Sequence, residues 1–171
     1  MGQPEEQRNR FHHVHRYLTP LAMAVVVPGL LFAPLEPARR WGAAALLAYS
    51  LAVNFLSHRW STGDAAAIGK LRVISNYITN IGLVCLMYAG WPAVWILLLM
   101  MSIGPAIYQN RKDALNSSLA VAFMMVAAQA GFGEYRLAAW AQALVQSAAI
   151  VLLGLFVNGL ASRGPGASEG V

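Results

Sequence analysis

Six apolar runs separated by short polar connections dominate this sequence of 171 residues. A membrane-spanning helix needs about 20 mostly apolar residues, and each run approaches that length. Charged residues make up 11% of the chain, whereas soluble domains carry about a quarter, so too few charges remain to coat a water-facing surface. We therefore expect an all-α polytopic membrane protein with six transmembrane helices. The predicted spans are Leu18–Leu35, Trp41–Ser57, Val73–Ala89, Trp91–Ile107, Ala114–Phe132 and Leu137–Ser162.

The apolar runs divide the chain into three parts. Residues 1–17 form a basic amino-terminal arm, residues 18–162 the transmembrane domain, and residues 163–171 a Gly-, Pro- and Ser-rich tail that we expect to be disordered. The first span contains Pro20, Pro28 and Pro34, but it lacks a clean small-residue cleavage site, so we expect it to be retained. The longest predicted connection is 58–72, with a short alanine-rich stretch as an interfacial helix.

Lys and Arg residues predict the orientation, because they are enriched in cytoplasmic connections. Nine of the twelve fall on the side of the two termini, which we therefore place in the cytoplasm. The opposite side holds Arg39, Arg40 and Arg136, and the pair Arg39–Arg40 fits this rule poorly. The net charge of +5 is explained by topology and anionic lipid headgroups, so we expect membrane lipids and no nucleic acid as partners.

Polar side chains inside the spans are the candidates for a ligand site. Asn76, Thr79 and Asn80 share one face of the third span, and Asn54 and His58 stand at i, i+4 in the second. Amides and hydroxyls in hydrocarbon need hydrogen-bond partners, and two interpretations are open: they hold helices together, or they line a polar pocket. Gln142 and Gln146 repeat the i, i+4 spacing in the sixth span and complete this set of candidates.

Histidines in the amino-terminal arm are weak metal candidates. His12 and His15 stand at i, i+3 in "NRFHHVHRY", and imidazoles can bind zinc or haem iron. No carboxylate or cysteine beside them completes a site, so a basic collar on lipid phosphates is the alternative. We expect no cofactor; an absorption spectrum would detect haem.

Two apparent enzyme motifs lack the setting that catalysis needs. The segment "EEQRNR", residues 5–10, matches the EExxxR element of a membrane protease family but lies in the polar arm. The serine of "MSIGPA" lacks a nucleophile elbow and a paired histidine. We therefore expect a protein that is not an enzyme.

The arm "RFHHVHRYLTPLAM", the tight hairpin "AGWPA" between spans three and four, and the segment "MMSIGPAIY" carry a resemblance to a known family. From about Arg10 to Arg163, the chain resembles the six-span membrane-associated sensor modules of bacterial signalling proteins, in particular the second MASE class that precedes diguanylate and adenylate cyclase domains. Related modules of histidine kinases match almost as well.

The resemblance implies an integral membrane sensor of the bacterial inner membrane whose signal leaves through the last helix. Eight residues follow Arg163, so we expect a module without an output domain, acting on a cytoplasmic or membrane signalling partner in trans, with a small or lipid-like ligand as a candidate input. Self-association into a homo-oligomer stays open. The alternative is a small transporter component, of the type of a vitamin transporter's substrate-binding subunit, that holds its substrate between helices.

Overall fold

The protein is helical throughout the part that its computed structural model describes, residues 20–59 and 65–162, with side chains for 20–56 and 74–162. The all-α prediction is confirmed for these residues, which contain no strand. The helices are α1 (Pro20–Phe32), α2 (Pro37–Arg59), α3 (Ala65–Met87), α4 (Ile96–Ala106), α5 (Arg111–Phe132) and α6 (Leu137–Ala161). A 3-10 turn, Pro92–Trp95, leads into α4.

Proline and asparagine set several helix ends. Pro34 follows α1, and Pro37 opens α2, where its missing N–H is not needed. Asn110 caps α5, since its side chain accepts a hydrogen bond of 2.9 Å from the backbone N–H of Asp113. Asp113 also places a negative charge in the first turn of α5, which the helix dipole favours.

The third helix begins earlier than the sequence pattern suggests. We predicted a span from Val73 after a long loop, whereas α3 is continuous from Ala65. The stretch "AAAIGKLR" consists mostly of strong helix formers, so the helix extends through it. The predicted interfacial piece is therefore the first part of α3.

Two helices are both long and apolar enough to cross a membrane. They are α5, with 22 residues and a mean hydropathy of 1.4, and α6, with 25 residues and a mean hydropathy of 2.0. At about 1.5 Å per residue, both exceed a hydrocarbon core of about 30 Å. The other apolar segments, Pro20–Phe32, Ile74–Met87 and Pro92–Ala106, are shorter.

The helices pack in two groups. In the first group α2 lies antiparallel to α3, with Gly42 against Leu86 and Gly82 against Leu46. In the second group α4, α5 and α6 pack on one another. A core of buried apolar side chains joins the groups; it includes Leu83, Val84, Met87, Leu97, Leu98, Met125 and Ile150.

The bundle has two distinct ends. The turns at 33–36, 88–91 and 133–136 lie at one end, which we call the aromatic end, and the α4–α5 turn lies at the opposite end. Trp91 joins the turn after α3 to α1, because its Nε1 donates to the carbonyl of Val25 over 3.0 Å.

The outward faces of the helices are apolar. Phe123 is 73% exposed and Phe156 is 61% exposed. Soluble monomers rarely expose apolar patches larger than a few hundred Å², and here exposed large apolar side chains occur on α1, α2, α3, α5 and α6. They include Leu31, Phe55, Ile78, Leu119 and Leu152.

Candidate functional site

Polar side chains meet between α2 and α3. Nδ2 of Asn54 donates to Oδ1 of Asn76 over 3.2 Å. Ser50 joins the same group, with its Oγ 3.5 Å from Oδ1 of Asn76 and 3.5 Å from Nδ2 of Asn54. The structure thus brings together two of the predicted site residues and adds a serine that the sequence analysis did not select.

Two hydroxyl groups on the same side of α3 are buried without a partner. Ser75 is 3% exposed and Thr79 is 1% exposed, and neither hydroxyl oxygen has a hydrogen bond. Ser75 and Thr79 continue along α3 to Gly82 and Leu86 with helical spacing, and those two residues contact α2. We call Ser50, Asn54, Ser75, Asn76 and Thr79 the α2–α3 seam.

The remaining predicted site residues are spread over the molecule. Asn80 is half-buried on α3 and takes no part in the Asn54–Asn76 bond. Gln142 is exposed on α6, whereas Gln146 is buried and its Oε1 has no hydrogen-bond partner. Because α6 packs on α4 and α5, Gln146 belongs to the second group of helices. The side chains of His12, His15 and His58 lie outside the described residues.

A pair of serines lies at the centre of the second group. The hydroxyls of Ser102 on α4 and Ser118 on α5 are 2.7 Å apart, and both side chains are fully buried. Ser102 also reaches the carbonyl of Ile150 on α6, at 3.4 Å. Gly154 completes this three-helix contact, since a Cβ there would meet both hydroxyls.

Asn158 attaches α6 to the α4–α5 turn. Its Nδ2 donates to the carbonyl oxygens of Ala106, at 2.8 Å, and Gln109, at 2.7 Å. The last carbonyls of a helix lack partners within that helix. Asn158 therefore supplies a donor at the end of α4 and fixes the position of α6 relative to the turn.

A second buried amide connects the two groups at the aromatic end. The hydroxyl of Tyr88 donates to Oε1 of Gln129 over 2.9 Å, and Nε2 of Gln129 donates to the carbonyl of Glu134 over 2.7 Å. Both ends of this amide are used, so the contact orders the α5–α6 turn and leaves little capacity for a ligand.

The buried polar groups of the described residues are all uncharged. In the same part of the chain, no three His, Cys, Asp or Glu side chains come together as a metal site. Amides and hydroxyls of this kind bind through hydrogen bonds. The α2–α3 seam is the candidate site, since it holds two buried hydroxyl groups without a hydrogen-bond partner.

Sequence reasoning did not identify Ser75, Ser102 or Ser118. A helix tolerates serine on any face, because its hydroxyl can bond to the preceding turn, so a single serine carries little positional signal. The relevant signal for Ser102, Ser118 and Gly154 is that three consecutive spans each place a small residue nearer to the end of the bundle that holds the α4–α5 turn. This pattern is typical of close helix packing in membranes.

Comparisons of the chain with protein-family models, with curated proteins and with solved structures gave no match.

Proposed function

We propose that this protein is an integral membrane sensor or regulatory module that acts through a partner protein in trans. Its six helices cross a bacterial inner membrane, and both termini lie in the cytoplasm. The proposal adopts the orientation indicated by the Lys and Arg residues, and it treats the aromatic end as the outer end of the bundle.

The distribution of polarity supports insertion in a membrane. Uncharged polar groups lie inside the bundle, while phenylalanine and leucine side chains face outward along α5 and α6. Exposing this apolar surface to water costs free energy, whereas contact with lipid chains does not. Near the aromatic end lie Trp41, Trp91, Trp95 and Trp140, and tryptophan is enriched at membrane–water interfaces.

The three arginines assigned to the outer side have local roles that account for their position. Nη2 of Arg40 donates to the carbonyl of Ala33 over 2.9 Å, at the end of α1. Arg39 lies 3.6 Å from Glu36, and Arg136 lies 3.2 Å from Glu134. These interactions explain why the pair Arg39–Arg40 can occur on the side that otherwise holds few basic residues.

The observation that carries the signalling part of the proposal is the attachment made by Asn158. Shifts of a helix at an interface are a known means of switching. The two Asn158 hydrogen bonds hold the end of α6 in one position, and a shift of α6 would break both of them together. A partner protein bound to the end of α6 would then respond to this displacement. The absence of buried charge among the described side chains argues against a proton relay or an ion pump.

The proposal is tested by measuring both the companion of the protein and the movement of α6. Purification in mild detergent followed by mass spectrometry should recover a signalling enzyme in near-stoichiometric amount. Spin labels at Arg111→Cys and Ser162→Cys, both in a Cys85→Ala background, should then report a changed distance between α5 and the end of α6 when this enzyme is added. An unchanged distance would contradict the mechanism.

The alternative is a transporter component that binds its substrate between helices. The unused hydroxyls of Ser75 and Thr79 favour this second candidate, because a substrate could occupy them. Recovery of a stoichiometric nutrient together with an ATPase subunit, in place of a signalling enzyme, would support the alternative.

A further inference from the structure

The α2–α3 seam contains three long hydrogen bonds between side chains. Its bonds measure 3.2 to 3.5 Å, at or beyond the usual range for these groups. In contrast, the contacts Ser102–Ser118 and Asn158–Gln109 both measure 2.7 Å. The α4–α5–α6 group also contains a longer contact, 3.4 Å from Oγ of Ser102 to the carbonyl of Ile150. The seam is distinguished by three hydrogen bonds that are all 3.2 Å or longer, next to two hydroxyls without a partner.

The unpartnered hydroxyls of Ser75 and Thr79 make the closed seam unfavourable. A hydroxyl that is buried without a partner loses its bonds to water and gains none in return. Both groups are at least 97% buried, on the side of α3 that faces α2. A molecule that enters between the helices and hydrogen-bonds to both hydroxyls would remove this penalty.

We infer that the α2–α3 seam is a binding site for a small uncharged molecule that donates and accepts hydrogen bonds. Hydroxyls and amides offer both donors and acceptors, so they match a guest with the same capacity. The described seam residues carry no charge, and a charged guest would lack a counter-charge in this apolar setting. Water is the smallest member of the class. This inference rests on the proposed function, for which the seam would be the input site.

The experiment measures the access of small reagents to the seam. Thr79→Cys and, separately, Ser75→Cys are placed in the full chain with Cys85→Ala, in membrane vesicles. The matched control is Ser118→Cys, which replaces another buried hydroxyl, one that has a partner at 2.7 Å. Each variant is treated with methyl methanethiosulfonate, which is small and neutral, or with its charged sulfonatoethyl analogue, and modification is followed by mass spectrometry.

We expect the neutral reagent to modify Thr79→Cys and Ser75→Cys at least tenfold faster than Ser118→Cys, and the charged reagent to modify none of them at that rate. Equal rates for seam and control thiols would overturn the inference, as would unreactive thiols at both seam positions. Fast reaction with the charged reagent would overturn the restriction to uncharged guests. Modification of every thiol after denaturation in SDS verifies that each variant is chemically competent.

Circular dichroism and gel filtration identify any variant that does not fold, and Ser75→Cys then replaces Thr79→Cys as the test. The result does not depend on a partner protein. Reactive seam thiols without a co-purifying signalling enzyme would refute the proposed function and leave the binding site standing. Unreactive seam thiols with such an enzyme present would do the reverse.

Discussion

Among single residues, Gly154 has the most direct structural requirement for its lack of a side chain. It lies where α6 crosses the hydroxyls of Ser102 and Ser118, and a Cβ at this position would be 2.6 Å from Oγ of Ser102. The two hydroxyls are bonded to each other and fully buried, so they cannot move aside without losing that bond. Three helix backbones therefore approach closely because one of them lacks a Cβ.

We expect Gly154→Ala to lower the free energy of unfolding by about 1–3 kcal/mol, the usual effect of overpacking. The control is Gly159→Ala on the same helix, where a Cβ would meet nothing within 4 Å. Alanine there should be neutral or stabilising, since it favours a helix more than glycine does. SDS titration of both variants, followed by circular dichroism, measures the difference; equal stability of the two would contradict the three-helix contact.

Asn76 and Asn80 allow a second comparison between neighbouring residues of the same type. Asn76 bonds to Asn54 across the helix pair, whereas Asn80 takes no part in this bond. Hydrogen bonds between membrane helices contribute about 0.6–2 kcal/mol, so Asn76→Ala should be destabilising by that amount. Asn80→Ala should have a smaller effect in the same SDS titration. A larger loss for Asn80→Ala would mean that the pairing is misassigned.

At the scale of helices, the position of α6 depends on the amide of Asn158. With Asn158→Ala, the carbonyls of Ala106 and Gln109 lose their donor, and we expect α6 to separate from the α4–α5 turn at its last turns. Spin labels at Arg111→Cys and Ser162→Cys should then show a broader distance distribution, and stability should fall by about 1–3 kcal/mol.

Asn116→Ala provides the control for this helix contact. Asn116 lies on α5 as an exposed amide, so its replacement should leave both the distance distribution and the stability nearly unchanged. If Asn158→Ala gave the same narrow distribution as the control, α6 would be fixed by apolar packing alone, and the signalling proposal would lose its structural basis.

The helices could be predicted from the sequence better than the contacts between them. Apolar runs located all six, because a long apolar segment has few alternatives to a helix in lipid. The helix α3 begins at Ala65, before the span predicted from Val73, since the alanine-rich stretch ahead of Val73 is short of apolar bulk but rich in helix formers. The pairing of Asn54 with Asn76 depends on how α2 and α3 are aligned, and spacing within one helix does not contain that information.

For the whole molecule, the proposed topology depends on how many of the helices span the membrane. By length and hydropathy together α5 and α6 meet the requirement, and the proposed topology adds the other four. The described side chains support this addition for three of the four, because exposed apolar residues also occur on α1, α2 and α3, including Phe32, Phe55 and Ile78. Soluble domains rarely present such faces.

We expect reporter fusions to give an alternating pattern along the chain. Alkaline phosphatase, which is active outside the cytoplasm, should be active when fused after Glu36, Gly90 or Glu134 and inactive when fused after Gly63, Gln109 or Val171. Green fluorescent protein fluoresces in the cytoplasm but not after export in an unfolded state, so its fusions should give the opposite pattern. The alternation follows if each apolar helix crosses once and the basic connections stay inside.

Alkaline phosphatase inserted after Glu36 within the full chain is the most informative fusion, because its position depends on α1 and on the arginines that follow the insertion. The described part of α1 is an apolar helix of only 13 residues, Pro20–Phe32. At about 1.5 Å per residue, this helix is too short to span the hydrocarbon core of a membrane by itself. Replacing Arg40 by Gln removes a cation from the outer side together with the bond to the carbonyl of Ala33; it should leave the alkaline phosphatase activity unchanged if topology follows the nine inner cations. Inactive insertions after Glu36 in both backgrounds would place α1 outside the set of spans and leave Glu36 on the cytoplasmic side together with the amino terminus.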